Sequence, residues 1–282
     1  MLTIYCALFQ EAEKIIKSFQ LKKETHSTHF QVFSDPAKGM RLVITGDGAI
    51  ASATAVAEIS TCYAPKPTDL LLNYGSCVAG NKDLTGDVYV GNKLIEKYSG
   101  RTFYPDICYR HPFAEAQIVS SLNIQTMKLD GFDGIQEENT EEIKLYDSEA
   151  AAVYQAGNYY YGPHQMIFLK TVSGRESRKE EEVIASVCRY IETLCEICHN
   201  RDEKAKDTAE LRKRVEVEAE QIGESLHCSV VMQAELFQLL LYWKLTDTDY
   251  EAIFKNYRRQ GRLPAKDKRE GKKILDELKG RL

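Results

Sequence analysis

DLLLNYGSCVAG, residues Asp69 to Gly80, joins an unbroken apolar run to a cluster of small and polar residues. Leu70, Leu71 and Leu72 show no polar alternation, which predicts a strand buried on both faces. Asn73, Gly75 and Ser76 follow at once. Glycine lets backbone approach a ligand closely, and serine adds a hydroxyl and an amide. In open α/β sheets ligands sit beyond the carboxyl ends of strands. An ordinary exit from strand to loop would carry the same tripeptide.

The surrounding chain has the bulk of a large core plus an appendage, at 282 residues and 43% hydrophobic content. A net charge of -5 counts against a general nucleic-acid or membrane binder. Met1-Leu2-Thr3 leads into an apolar segment without a basic region, so no export signal and a cytoplasmic location are expected. The longest apolar run, Leu236 to Trp243, is broken by Gln238 and falls short of a membrane span. The eight cysteines are expected as reduced, buried thiols. Cys195-Glu196-Ile197-Cys198-His199 fits a haem-attachment pattern. It falls inside a helical periodicity, which favours packed helix residues. With no second such pair, and six scattered histidines, neither a metal nor a cofactor is expected.

Upstream of the central stretch, Leu2 to Leu8 reads as a strand and Gln10 to Phe19 as a helix. Glu11 then stands near a helix N-terminus, where the dipole stabilises its anion. It could equally be a first-turn glutamate with no further role. Thr28 to Ser34 and Met40 to Thr45 predict a hairpin across Asp35 to Gly39. Gly46 and Gly48 precede an alanine-rich helix ending near Tyr63. Two glycines there admit an anion or a sugar, and tight helix packing explains the alanines as well.

Downstream, Gly86 to Val90 reads as a strand. Tyr98, Phe103, Tyr104, Tyr109 and His111 lie on an irregular segment. They suit either stacking on a flat ligand or capping a core edge. Phe113 to Leu122 reads as helix and Asp130 to Glu142 as an acidic loop. No strand is evident between that loop and Asp147. Asp147 or Ser148 can cap a helix with Glu149 in its first turn. A carboxylate there can accept hydrogen bonds from two vicinal hydroxyls. Gln165 to Val172 reads as a strand ending in Ser173-Gly174-Arg175-Glu176, and Lys179 to His199 as an amphipathic helix.

From Asn200 the texture becomes charged and helical, with helices over Leu226–Trp243, Thr246–Gln260 and Lys266–Leu278. Phe254 to Leu282 holds 11 Lys/Arg against 4 Asp/Glu. That basic end suits a solvated surface, or a docking face for nucleic acid or protein.

In order and spacing, four blocks resemble the nucleoside phosphorylase/nucleosidase superfamily, nearest the 5'-methylthioadenosine/S-adenosylhomocysteine nucleosidases. They are Ala7-Leu8-Phe9-Gln10-Glu11, Thr45-Gly46-Asp47-Gly48, Asn73-Tyr74-Gly75-Ser76 with Gly86-Asp87-Val88, and Asp147-Ser148-Glu149-Ala150-Ala151. The resemblance covers roughly residues 1–199 and leaves 200–282 as a helical C-terminal extension. It implies a three-layer α/β fold with a central twisted mixed sheet flanked by helices, and a homodimer or larger homo-oligomer.

The resemblance also implies hydrolysis of the bond between ribose and a purine, in a purine nucleoside or a 5'-substituted adenosine. Glu11 would activate water and Glu149 would hold the ribose. Gly46, Gly48, Asn73, Gly75, Ser76, Ser148, Ser173 and Arg175 would line the site. Phosphorylases with an anion-binding arginine carry it where this chain has Asn73, which favours water over phosphate as nucleophile. The family's general-acid aspartate is replaced by Gly174, leaving Glu176 as the nearest carboxylate. An inactive nucleoside-binding relative with a partner-docking C-terminus is the alternative, and a phosphorylase the third reading.

Overall fold

A computed structural model describes residues 1–25, 28–79, 87–121, 143–172 and 177–281, with backbone alone for 177–180. They form two compact units, Met1–Asp202 and Glu203–Leu282.

In the first unit β1 (Leu2–Cys6) is followed by α1 (Phe9–Phe19), β2 (Lys22–Lys23), β3 (Gln31–Asp35) and β4 (Met40–Ile44). Then come α2 (Ala49–Cys62), β5 (Leu70–Ala79), β6 (Val88–Glu96), β7 (Thr102–Phe103), β8 (Ala114–Ser120) and β9 (Lys144–Asp147). The helix α3 (Ala150–Gly157), the strand β10 (Met166–Val172) and the helix α4 (Ser177–Ser225) complete the order. The sheet is mixed: β1 pairs in parallel with β4 and β5, β5 with β10, and β8 with β6 and β9. The pairs β3–β4, β6–β10 and β5–β9 are antiparallel. Because β10 bonds both β5 and β6, the β5–β9–β8–β6–β10 part closes on itself.

Leu70, Leu71 and Leu72 are fully buried, as their unbroken apolarity predicts. Leu70 and Leu72 join a core layer with Ile15 of α1 and Tyr190, Ile191 and Leu194 of α4. Leu71 points the other way, into a layer with Val56 and Ile59 of α2 and Val153 of α3. Each such leucine contributes about 1.5–3 kcal/mol. Helices thus cover both faces of the sheet, and the hairpin forms as β3 and β4.

Five expectations are corrected. Ala114–Ser120 is strand rather than helix. Its alanine and glutamate favour helix, but pairing to both β6 and β9 buries Ala116 and Ile118 and outweighs propensity. A strand does precede Asp147: β9 occupies Lys144–Asp147. Gly75 and Ser76 lie inside a ten-residue strand rather than at its exit, because β10 accompanies β5 as far as Cys77. The helix expected to end at His199 runs on through Ser225, since no Gly or Pro interrupts it before Gly223. Cys62 and Cys108 are exposed rather than buried. Cys198 is buried and donates to the Met1 carbonyl at 3.5 Å, packing the helix against the sheet.

The second unit packs α5 (Val230–Leu245), α6 (Tyr250–Arg259) and α7 (Lys268–Lys279) with the end of α4. Its core gathers Val215, Ala219, Leu236, Trp243, Phe254, Ile274 and Leu278. Among the described residues no helix is long and apolar enough to cross a membrane.

Candidate active site

The candidate residues gather around the carboxyl ends of β1, β4, β5 and β9. β1 ends at Cys6 and α1 begins at Phe9, which leaves Glu11 in the first helical turn. Its Oε2 accepts from the Leu8 amide at 3.2 Å. Neighbouring β5 continues past the end of β1, so the Ser76 amide and hydroxyl donate to Glu11 Oε1 at 2.7 and 2.5 Å. A side chain at residue 75 would place its Cβ 3.2 and 3.3 Å from the two Glu11 oxygens, so glycine keeps that approach open.

The second carboxylate comes from the turn between β9 and α3. Asp147 caps α3 through the Ala150 amide at 2.9 Å. Glu149 therefore sits at the cap rather than inside the first turn. Glu149 Oε1 accepts from the Ser148 hydroxyl at 2.5 Å and from the Gly48 amide at 3.2 Å. Gly46 and Gly48 have φ of 84° and 92°, a region closed to most side chains. The Ser148 hydroxyl also donates to Asp47 at 3.2 Å.

The site also holds a buried cation that the sequence reading missed, and both carboxylates act on it. Lys170, 1% exposed, stands in β10 and pairs with Asp147 at 2.7 Å and with Glu149 at 3.9 Å. Asp147 is completed by the Ser120 hydroxyl at 2.6 Å, and that hydroxyl accepts from the Ala151 amide. The backbone of Lys170 lies beside Gly75 in the β5–β10 register. Burial alone would lower the Lys170 pKa, but the charges of Asp147, Glu149 and Glu11 overcome it and hold the ammonium protonated. Burial raises the Glu149 carboxyl; Lys170 opposes the rise and Asp147 adds to it. The signal was available: a lysine inside the apolar strand Ile167-Phe168-Leu169-Lys170 must find a buried anion.

The structure thus brings together Glu11, Gly75 and Ser76, and likewise Gly48, Ser148 and Glu149, with Gly46 in the adjoining turn. Asn73 is buried instead. Its amide donates to the Tyr5 carbonyl at 3.2 Å, and its Oδ1 has no partner among the described residues. Ser173, Gly174, Arg175 and Glu176 lie outside the described residues, as does the acidic stretch 130–142. The loop aromatics divide. Phe103 stacks on Tyr154 at 5.1 Å and Tyr109 bonds Arg201 at 2.6 Å, while Tyr98 and Tyr104 are exposed. Burial pushes the nearby Cys77 thiol up to about 12 and raises Cys6 too, so neither is a ready nucleophile. Among the described residues no cluster of three metal-ligating side chains occurs. A cavity of about 970 Å³ opens at the opposite, amino end of the parallel strands, lined by Met1, Met40 and Asp69, away from both carboxylates.

Over about 70% of its length the chain has the fold of solved 5'-methylthioadenosine/S-adenosylhomocysteine nucleosidases. One similar structure is the Streptococcus pneumoniae 5'-methylthioadenosine/S-adenosylhomocysteine nucleosidase with a transition-state inhibitor. It is 16% identical, with a TM-score of 0.50 over 70% of this chain and 98% of that one. The Streptococcus pyogenes S-adenosylhomocysteine nucleosidase in complex with 5-methylthiotubericidin is 15% identical, with a TM-score of 0.50 over 69% and 94%. The Borrelia burgdorferi B31 protein assigned to the same group, bound to adenine, is 15% identical, with a TM-score of 0.52 over 70% and 100%. No family model and no curated protein matches the chain.

Proposed function

We propose that this protein is a nucleosidase that hydrolyses the N-glycosidic bond of a purine nucleoside or a 5'-substituted adenosine. The observation that carries the reading is the pair Glu11 and Glu149, supplied by separate elements and both acting electrostatically on buried Lys170. Cleavage gives the ribosyl group oxocarbenium character, and fixed carboxylates stabilise that charge. Water attacks C1' and its proton passes to Glu11. The electron pair of the broken bond goes to the base nitrogen, which Glu176 protonates. Glu149 accepts hydrogen bonds from the ribose hydroxyls, while Gly48 and Ser148 hold its carboxylate in place. Asn73 stands where an arginine would hold phosphate, and its buried amide, turned to the Tyr5 carbonyl, offers no positive charge to a phosphate nucleophile. Assembly as a homo-oligomer and a cytoplasmic location belong to the same reading, with a small-molecule nucleoside as the ligand.

The test is free-base release from a panel of purine and pyrimidine nucleosides, with and without phosphate, beside a thermal-shift screen of the same ligands. Phosphate-independent base release is expected. Binding without release under either condition would overturn hydrolysis in favour of a nucleoside-binding relative, with Gly174 as the reason. Release only with phosphate would make the protein a phosphorylase.

A further inference from the structure

We propose that the α6–α7 segment of the second unit binds the phosphate backbone of nucleic acid. The charge distribution is strongly uneven. Phe254 to Leu282 carries +7, so the other 253 residues carry -12. Such asymmetry is invisible in the overall charge of -5.

The structure shows how the segment's four acids are used. Asp267 caps α7 through the Arg269 and Glu270 amides, at 2.8 and 2.9 Å. Glu270 accepts from the Lys266 amide at 2.7 Å. Glu277 takes both ends of the Arg262 guanidinium at 2.8 Å, and Asp276 reaches Lys279 at 4.0 Å. Every acid is thus committed to backbone or to two of the eleven cations. Lys255 and Arg259 on α6, and Arg269, Lys272 and Lys273 on α7, are exposed and make no ion pair with another described residue. Arg269 and Lys273 stand four residues apart, about 6 Å along the axis. Like charges so placed repel each other. A row of phosphates relieves that repulsion and releases counterions on binding.

The apolar residues of these helices decide among polyanions. Phe254, Tyr257, Ile274, Leu275 and Leu278 are all buried in the unit's own core. Among the described residues of α6 and α7 no large apolar side chain is exposed beside the cations to enter a bilayer, as an interfacial helix requires.

The test measures binding of the full chain to fluorescently labelled single-stranded and duplex nucleic acid by anisotropy. Expected dissociation constants fall in the ~10⁻⁶–10⁻⁴ M range near physiological salt. Affinity should fall with salt, with a log–log slope of about -0.7 per contacted phosphate for single strands and about -0.9 for duplex. Lys255→Glu with Arg259→Glu, or Arg269→Glu with Lys272→Glu and Lys273→Glu, should weaken binding by roughly tenfold or more and flatten the slope. Lys204→Glu with Lys213→Glu makes the same net-charge change as the first pair on exposed positions of α4 and should leave binding nearly unchanged. Thermal melting checks that each variant folds. Glutamine replacements at the same positions repeat the comparison if a reversal does not. Absence of binding at low salt would overturn the proposal, as would equal loss in the α4 control. Preferential capture by anionic vesicles or polyglutamate over nucleic acid would overturn it too.

Discussion

The two carboxylates of the site live in opposite environments. Glu149 belongs to a dry network: Asp147 is fully buried, Lys170 is 1% exposed and Glu149 itself 6%. Glu11 is held at the rim, by a serine hydroxyl and two backbone amides, with exposed Ser76 as its main partner. The buried network fixes a position at the risk of large instability if one member is lost. The rim carboxylate is oriented by neutral donors and is half-buried, which suits the proposed exchange of a proton with water. The difference teaches that one glutamate is built into the fold and the other is placed on top of it.

The sharpest way to break that contrast is Glu11→Gln. Turnover should fall by ~10²–10⁴-fold, the usual worth of a positioned base. Ligand affinity by thermal shift should stay within a few-fold, and the melting temperature should hardly move. A large loss of stability would show that Glu11, too, is structural. Lys170→Met probes the other side. It leaves Asp147 and Glu149 buried without their cation, and should destabilise the protein by about 3–5 kcal/mol in denaturant titrations. Little loss would mean that water enters the network.

These environments were unevenly legible in the sequence. Glu11 is legible because a helix start is a local pattern, whereas Gly75 and Ser76 lie within β5 and not at the strand exit that their residue types suggest. The burial of Leu70 to Leu72 followed from their lack of alternation. Lys170 is not legible as part of the site, since its partners Asp147 and Glu149 lie more than twenty residues away and meet it only through sheet closure. The same closure turned Ala114–Ser120 into strand against its local propensity. Asn73 shows the reverse limit: its neighbours suggested a ligand contact, but the alternation of β5 turns its side chain toward the Tyr5 carbonyl.

Two smaller effects sharpen the comparison. Burial lifts the Glu149 carboxyl above its ordinary 4.5, so the folded protein keeps that proton to higher pH than the unfolded chain does. Its contribution to stability is full below about 4.5 and is lost as pH rises through the folded pKa. Glu149→Gln cannot ionise, so its melting temperature should gain on the parent protein across that window. A gap that opens the other way would show that Lys170 outweighs burial at this carboxylate.

Gly75→Ala should have the smallest effect and the most local one. The new methyl would sit 3.2–3.3 Å from the Glu11 oxygens, tight enough to move the carboxylate by a few tenths of an ångström. The backbone there is ordinary strand, and alanine restricts the unfolded chain, so stability should hold or rise by up to about 1 kcal/mol. Catalysis depends on the position of the base more steeply than stability does, and a displacement of about 1 Å can cost ~10²-fold. We therefore expect kcat to fall by roughly threefold to tenfold with KM nearly unchanged. A rise in KM at constant kcat would instead mean that residue 75 touches the ligand, and that Glu11 tolerates the shift.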